Sequence, residues 1–131
     1  MEKGPQKPFE FNAALDHAFL KDLFEGDAHY AMIVFGDFLK DIPSYWNEVE
    51  EAYRSQHLSN LRSSIHKCKT LFGYVGHMQM LELFQNFEHK CDAVDHFDMI
   101  KDDYVVLQNK KKIAEQIIKN EYIRLTEYQR A

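Results

Sequence analysis

The chain has 131 residues, the size of one domain, and its 45% hydrophobic and 28% charged residues exclude a disordered chain. Its net charge of −5 gives no general attraction to nucleic acid or to anionic lipid. No stretch of 18 apolar residues predicts a membrane span. Five glycines and three prolines are too few for the frequent turns of an all-β sandwich or barrel.

The N-terminal residues 1–10 contain a glycine and two prolines and are predicted to be a flexible, irregular arm. They lack the apolar core of a signal peptide. Residues 11–131 are predicted to form a single domain. The two cysteines, Cys68 and Cys91, lie in helical patterns and form no paired motif, which indicates a reduced, cytoplasmic chain.

Apolar residues recur at helical spacing in five segments, which predicts four or five amphipathic helices packed as a bundle. The segments are residues 12–24, 28–57, 60–75, 78–93 and 103–129. The expected core of the first segment is Leu15, Phe19, Leu20, Leu23 and Phe24. The last segment carries a long apolar stripe that includes Ile113, and the basic run Lys110–Lys112 is predicted to be a solvated face.

Capping and breaking residues delimit these helices. The candidate N-caps are Asn12, Asp27, Ser59 or Asn60, and Asp95 or Asp98 for a short turn before the last helix. Gly26 and Gly76 are expected to end the helices that precede them. Pro43 lies inside the second pattern and is expected to kink or break that helix.

The third helix contains the residues that carry chemistry. At about 100° per residue, five apolar side chains fall within about 40° of one direction and predict its core face. These are Leu61, Ile65, Cys68, Phe72 and Val75. His66 lies roughly 140° from that direction, Lys69 about 80° and Gly73 about 120°, so His66 is expected to project away from the core.

An exposed neutral imidazole is a competent nucleophile near pH 7, and a cation such as Lys69 would stabilise an incoming phosphoryl group. Gly73 would let another surface approach His66 closely, because it has no side chain. The alternatives are that His66 and Lys69 are ordinary solvated residues and that Gly73 is the helix end.

The segment HKCKTLFGYVG, residues 66–76, resembles the signature H-x-L-K-G-S-A-x-x-L-G of histidine-containing phosphotransfer (HPt) domains. His66, Lys69 and Gly76 match it identically. The similarity extends over residues 30–92, where the pattern looks like the helices on either side of the family's phosphoacceptor helix.

The segment also departs from the HPt signature. Cys68 and Val75 match as apolar positions and not by identity. The family's small Gly-Ser-Ala trio is Thr70-Leu71-Phe72 here. Phe72 lies on the core stripe, whereas Thr70 lies on the outer face beside His66. Its side chain would either hinder a docking partner or hydrogen-bond the imidazole or the phosphate.

The resemblance implies an antiparallel four-helix bundle with an additional short N-terminal helix. It implies that His66 accepts a phosphoryl group from, and donates it to, aspartates of receiver domains, with Lys69 stabilising the phosphoryl charge. The expected partner-docking residues are Arg62, Thr70, Gly73 and His77. The expected partners are response-regulator receiver domains or a hybrid histidine kinase, and the chain is expected to be a monomer.

The resemblance also implies that Mg²⁺ is bound by the receiver and that this chain has no metal or cofactor of its own. The sequence contains no P-loop or kinase glycine loop, so no ATP-dependent kinase activity is expected. His89 and His96 would suit a metal site if one helix ran unbroken through Asp95, but a break is predicted there.

Two other functions remain open. The first is a catalytically silent interaction module that keeps the HPt fold, and the second is a helical-bundle regulator in which the motif is fortuitous.

Overall fold

The computed structural model describes residues 7–131, and within that range all regular secondary structure is helical, as predicted. The helices are α1 His17–Phe24, α2 Ala28–Arg54, α3 Leu58–Tyr74, α4 Met78–Ala93 and α5 Lys101–Arg130, with a 3₁₀ turn Phe97–Ile100 before α5. Among the described helices, none has both the length and the apolar character needed to cross a membrane.

Aspartates cap the first two helices. The side chain of Asp27 accepts a hydrogen bond from the backbone N–H three residues on, at 3.0 Å, which confirms its predicted role. The prediction of Asn12 as the first cap is wrong. The Asn12 side chain instead accepts a bond from the N–H of Ala14 in the preceding turn, and Asp16 caps α1.

Histidines cap the next two helices, which the sequence analysis did not anticipate. The imidazole Nδ1 of His57 accepts the N–H of Asn60 at 3.2 Å, and that of His77 accepts the N–H of Met80 at 3.3 Å. The predicted cap at Ser59 or Asn60 is therefore wrong, because α3 already begins at Leu58. Serine and asparagine are common caps, but any side-chain acceptor in extended backbone can serve.

Of the helix breaks predicted at Gly76 and Pro43, the structure contains only the one at Gly76. Gly76 separates α3 from α4 with φ +70°, and a Cβ there would lie 2.8 Å from Leu20 Cγ, so a glycine is required. Pro43 does not break α2, which continues from Ala28 to Arg54, so the expected break is wrong. Packing of α2 along both α3 and α5 stabilises the helix beyond the one hydrogen bond that proline removes.

The short turn before α5 also has a different start from the one predicted. Its N-cap is His96, which makes no side-chain capping bond. Asp98 lies inside the turn and pairs with Lys101 at 2.7 Å. The expectation that Asp95 or Asp98 caps this turn is therefore wrong.

The core is shared by α2, α3, α4 and α5, with α2 and α4 each packed against both α3 and α5. The Phe72 ring lies edge-on to Phe38, with ring centroids 4.9 Å apart, and is stacked on Phe84, with ring centroids 5.2 Å apart. The predicted core face of α3 is confirmed, because all five of its residues are fully buried. Helical periodicity predicts this face well because α3 is covered on one side only.

The burial predicted from helical periodicity is wrong at three other positions. Phe19 and Leu23 of α1 are exposed, because this two-turn helix buries only Leu20 and Phe24. Ile113 of α5 is 64% exposed.

The basic run in α5 is not entirely solvated as predicted. Lys111 is buried. Its ammonium lies 4.5 Å from the Trp46 ring centroid and 2.5 Å from Glu115 Oε1. It occupies the inner face of α5 between Leu107 and Ala114, where a cation needs such partners.

Residues 7–10, the described part of the predicted N-terminal arm, are irregular and are bound to α5. The Tyr128 hydroxyl donates to the Lys7 carbonyl at 2.6 Å, and Arg124 donates to the Glu10 carbonyl at 2.8 Å. The N–H of Asn12 donates to the buried carboxylate of Glu121 at 2.9 Å. The remaining residues of the predicted arm, 1–6, lie outside the described residues.

The two cysteines should be unreactive in the native protein. Burial raises the pKa of the Cys68 thiol to about 12 and that of Cys91 to about 11, so little thiolate forms near neutral pH. We expect modification by a chromogenic disulfide reagent at pH 8 to be at least about tenfold slower in native buffer than in denaturant. Rapid reaction of either thiol in native buffer would contradict this burial.

Candidate functional site

His66 lies on the outward face of α3, and its side chain is 61% exposed. Its exposure follows from the helix itself, because Ile65, which precedes it, and Cys68, two residues after it, are fully buried on the opposite face. The expectation from the helical projection, that His66 points away from the core, agrees with its position. A reactive group on this ring is accessible to a large partner.

A buried carboxylate from α4 holds the ring. Glu88 Oε1 lies 2.7 Å from His66 Nδ1, and Glu88 Oε2 lies 3.3 Å from Lys69 Nζ. The Glu88 and Lys69 side chains are only 10% and 18% exposed. One carboxylate therefore connects two residues that lie one turn apart on α3.

The contact with Glu88 determines which nitrogen of His66 is available. An ionised carboxylate can only accept hydrogen bonds, so Nδ1 of His66 must carry the proton in this contact. In the neutral ring, Nε2 then holds the free lone pair and is the nucleophilic atom. Glu88 would also stabilise the positive charge that develops on the ring when Nε2 forms a bond.

Sequence reasoning missed Glu88, although the sequence holds a signal for it. Glu88 falls at helical spacing between Phe84 and Cys91, on the buried stripe of α4. A carboxylate on an apolar stripe needs a hydrogen-bonding or cationic partner. That pattern identifies Glu88 as a residue that needs a partner, but it does not identify His66 and Lys69 as the partners.

Two more cations of α3 flank His66, and each forms an exposed ion pair. Arg62 Nε lies 3.0 Å from an Asp92 oxygen, with both side chains about half exposed. Lys67 Nζ lies 3.3 Å from Glu48 Oε2, again with both side chains about half exposed. The site thus carries positive groups on both sides of the ring.

A recess of about 340 Å³ opens beside His66, on the side of the ring that faces the preceding turn of α3. It is lined by Arg62, Ser63, His66, Lys67 and Glu88. Side chains of a helix tilt towards its N-terminus, so the ring of His66 covers the preceding turn. The predicted docking residues Thr70 and Gly73 lie on the other side of His66, on the turns that follow it.

Thr70 and Gly73 lie on the turns of α3 that follow His66. The exposed Thr70 hydroxyl donates to the backbone carbonyl of His66 at 3.3 Å, so it does not bond the imidazole. Gly73 lies inside α3, which ends at Tyr74. A Cβ at Gly73 would meet Leu81 at 3.6 Å, an ordinary contact, so packing does not require glycine here.

His77 is separate from the surface around His66. It is 5% exposed, caps α4 and lies edge-on to Phe72, with ring centroids 6.1 Å apart. Burial lowers the pKa of its imidazole. A docking role for His77 does not fit this position.

The structure gives no support for a metal ion at His89 and His96. Helix α4 ends at Ala93, which confirms the predicted break before Asp95. Among residues 7–131, no three or more His, Cys, Asp or Glu side chains are grouped to hold a metal ion.

Comparison with known proteins gave no match to a family model, to a curated protein sequence or to a solved structure.

The contact between Glu88 and His66 predicts a specific tautomer. In ¹⁵N-resolved NMR spectra at pH 8.5, we expect His66 to be protonated at Nδ1 and bare at Nε2. Glu88→Gln should lose this preference, because an amide can donate to the ring as well as accept from it. Glu82→Gln, an exposed change on the same helix, should leave the His66 signals unchanged. A wild-type ring protonated at Nε2 would contradict the assignment.

The buried cap His77 predicts a pH dependence of stability. Its pKa is lowered from 6.5 in the folded protein, so as pH falls through 6.5 the unfolded chain takes up the proton first. The free energy of unfolding should therefore fall from pH 7.5 to pH 5. His77→Asn keeps a capping side chain and should remove part of that decrease in urea titrations. An unchanged pH dependence in the variant would contradict the prediction.

Proposed function

We propose that this protein is a histidine phosphocarrier of the HPt type, with His66 as the phosphoacceptor. The observation that carries the proposal is the contact of Glu88 with both His66 Nδ1 and Lys69 Nζ, which leaves Nε2 of an exposed ring as the nucleophile. The HPt-like motif supplies His66 and Lys69 together. A merely solvated histidine would not need a buried carboxylate from another helix.

The transfer step follows from this geometry. The Nε2 lone pair attacks the phosphorus of a partner's aspartyl phosphate in line, a P–N bond forms, and the P–O bond to the aspartate breaks. The electrons of that bond leave with the aspartate carboxylate. The ring carries a positive charge while Nδ1 remains protonated, and Glu88 stabilises it. The reverse reaction passes the phosphoryl group to another aspartate.

The rest of the catalysis is assigned to the partner. Phosphoryl transfer depends chiefly on positioning and charge stabilisation, and in this proposal the partner receiver supplies Mg²⁺. The proposed fold is an antiparallel four-helix bundle of α2–α5 with α1 added at one end. The proposed partners are receiver domains or a hybrid histidine kinase, which would dock on the exposed face around His66, including Arg62, Thr70 and Gly73 on the surface of α3.

A second candidate function is an interaction module that binds receivers without phosphotransfer. The observation that favours it is the exposed Thr70, one turn from His66, where the HPt signature has a small residue. In such a module His66 would belong to the binding surface and would not need to react.

Phosphorylation by a small molecule tests the first function without a partner. With phosphoramidate, intact-mass measurement should show one added phosphate on the wild type, stable in alkali and lost in mild acid. His66→Gln should take up none, whereas His89→Gln, which changes another exposed histidine, should behave as the wild type.

Two results would contradict the assignment. A folded wild type that takes up no phosphate would favour the interaction module. Equal uptake by wild type and His66→Gln would place the reactive group elsewhere.

A further inference from the structure

We propose that Arg62 and Lys67, with the hydroxyl of Ser63, bind the phosphoryl group carried by His66. Lys69 is then a positioning residue that acts through Glu88. This inference rests on the proposed function, and it assigns the roles differently from the HPt resemblance, which makes Lys69 the residue that stabilises the phosphoryl charge.

The open space beside the His66 ring lies next to the proposed phosphoryl-binding residues. The recess next to His66 is lined by Arg62, Ser63 and Lys67, and Lys69 is not part of its wall. The tilt of helix side chains towards the N-terminus directs the ring over the turn that contains Arg62 and Ser63. A phosphoryl group on this ring therefore meets the residues of the recess.

The cations around His66 differ in the free-energy cost of leaving their present carboxylate partners. Arg62 and Lys67 form ion pairs whose side chains are about half exposed, and such pairs contribute little to stability. Lys69 instead pairs with Glu88, and both side chains are largely buried. Moving Lys69 to a phosphoryl group would leave the Glu88 carboxylate with one fewer donor in a buried position.

The side chains of the recess also match the hydrogen-bonding groups of a phosphoryl group. A phosphoryl group presents oxygens that accept two parallel bonds from an arginine fork, and Lys67 adds a flexible point charge. The Ser63 hydroxyl can donate to a third oxygen. The carboxylates released by this rearrangement, on Asp92 and Glu48, are exposed to water and so tolerate the loss of their partners.

The test compares two sets of variants in the phosphoramidate reaction. Arg62→Gln combined with Lys67→Gln should slow phosphorylation of His66 by about tenfold or more, because charge-assisted bonds to the phosphoryl oxygens are lost. The same pair should leave the NMR tautomer of His66 unchanged. Arg54→Gln, which breaks an exposed ion pair of α2, is the matched control and should react as the wild type.

Lys69 variants provide the contrast. Lys69→Gln should slow the reaction, and Lys69→Arg, which can still pair with Glu88, should restore the rate. In a Glu88→Gln background, Lys69→Gln should slow the reaction no further, because Lys69 acts through Glu88. Thermal unfolding of each variant checks that it is folded before its rate is compared.

The possible failures are distinguishable. A folded wild type that takes up no phosphate overturns the proposed function and this inference with it. A reactive wild type whose rate is unaffected by the Arg62 and Lys67 changes overturns the inference alone. So does a Lys69→Gln change that slows the reaction as much in the Glu88→Gln background as in the wild type, because Lys69 would then act on the phosphoryl group directly.

Discussion

A carboxylate in a largely buried position must be matched by donors, and this constraint determines how the side chains around His66 are arranged. Glu88 reaches across from α4 and uses its two oxygens for His66 Nδ1 and Lys69 Nζ. The burial that makes the carboxylate costly to leave unpaired also makes its contacts specific. The orientation and tautomer of the exposed ring thus depend on a side chain that belongs to the inner face of another helix.

The ion pairs around His66 divide according to burial, and that division suggests a division of roles. The pair of Lys69 with Glu88 is largely buried and therefore structural, whereas the pairs of Arg62 and Lys67 are exposed and exchangeable. Cations that can leave their partners at little cost are suited to bind an anion that arrives and departs. A fixed cation is suited to hold the acceptor ring in place.

Much of the fold was predictable because it is governed by helical periodicity. The core face of α3 and the cap at Asp27 follow from local pattern, and the structure confirms both. The errors arise where tertiary packing overrides that pattern. Lys111 is buried because Trp46 and Glu115 offer it partners, and α2 continues through Pro43 because its neighbours hold it.

By itself, the sequence determined that the chain is helical and that His66 faces away from the core, because both depend on residues within a few turns of one helix. Tertiary structure alone decided which nitrogen of the ring is bare and where the recess opens. Those features need Glu88, 22 residues away in the chain, and the packing of α4 against α3 that brings it to the ring. No periodicity within one helix specifies the partner of a side chain on another.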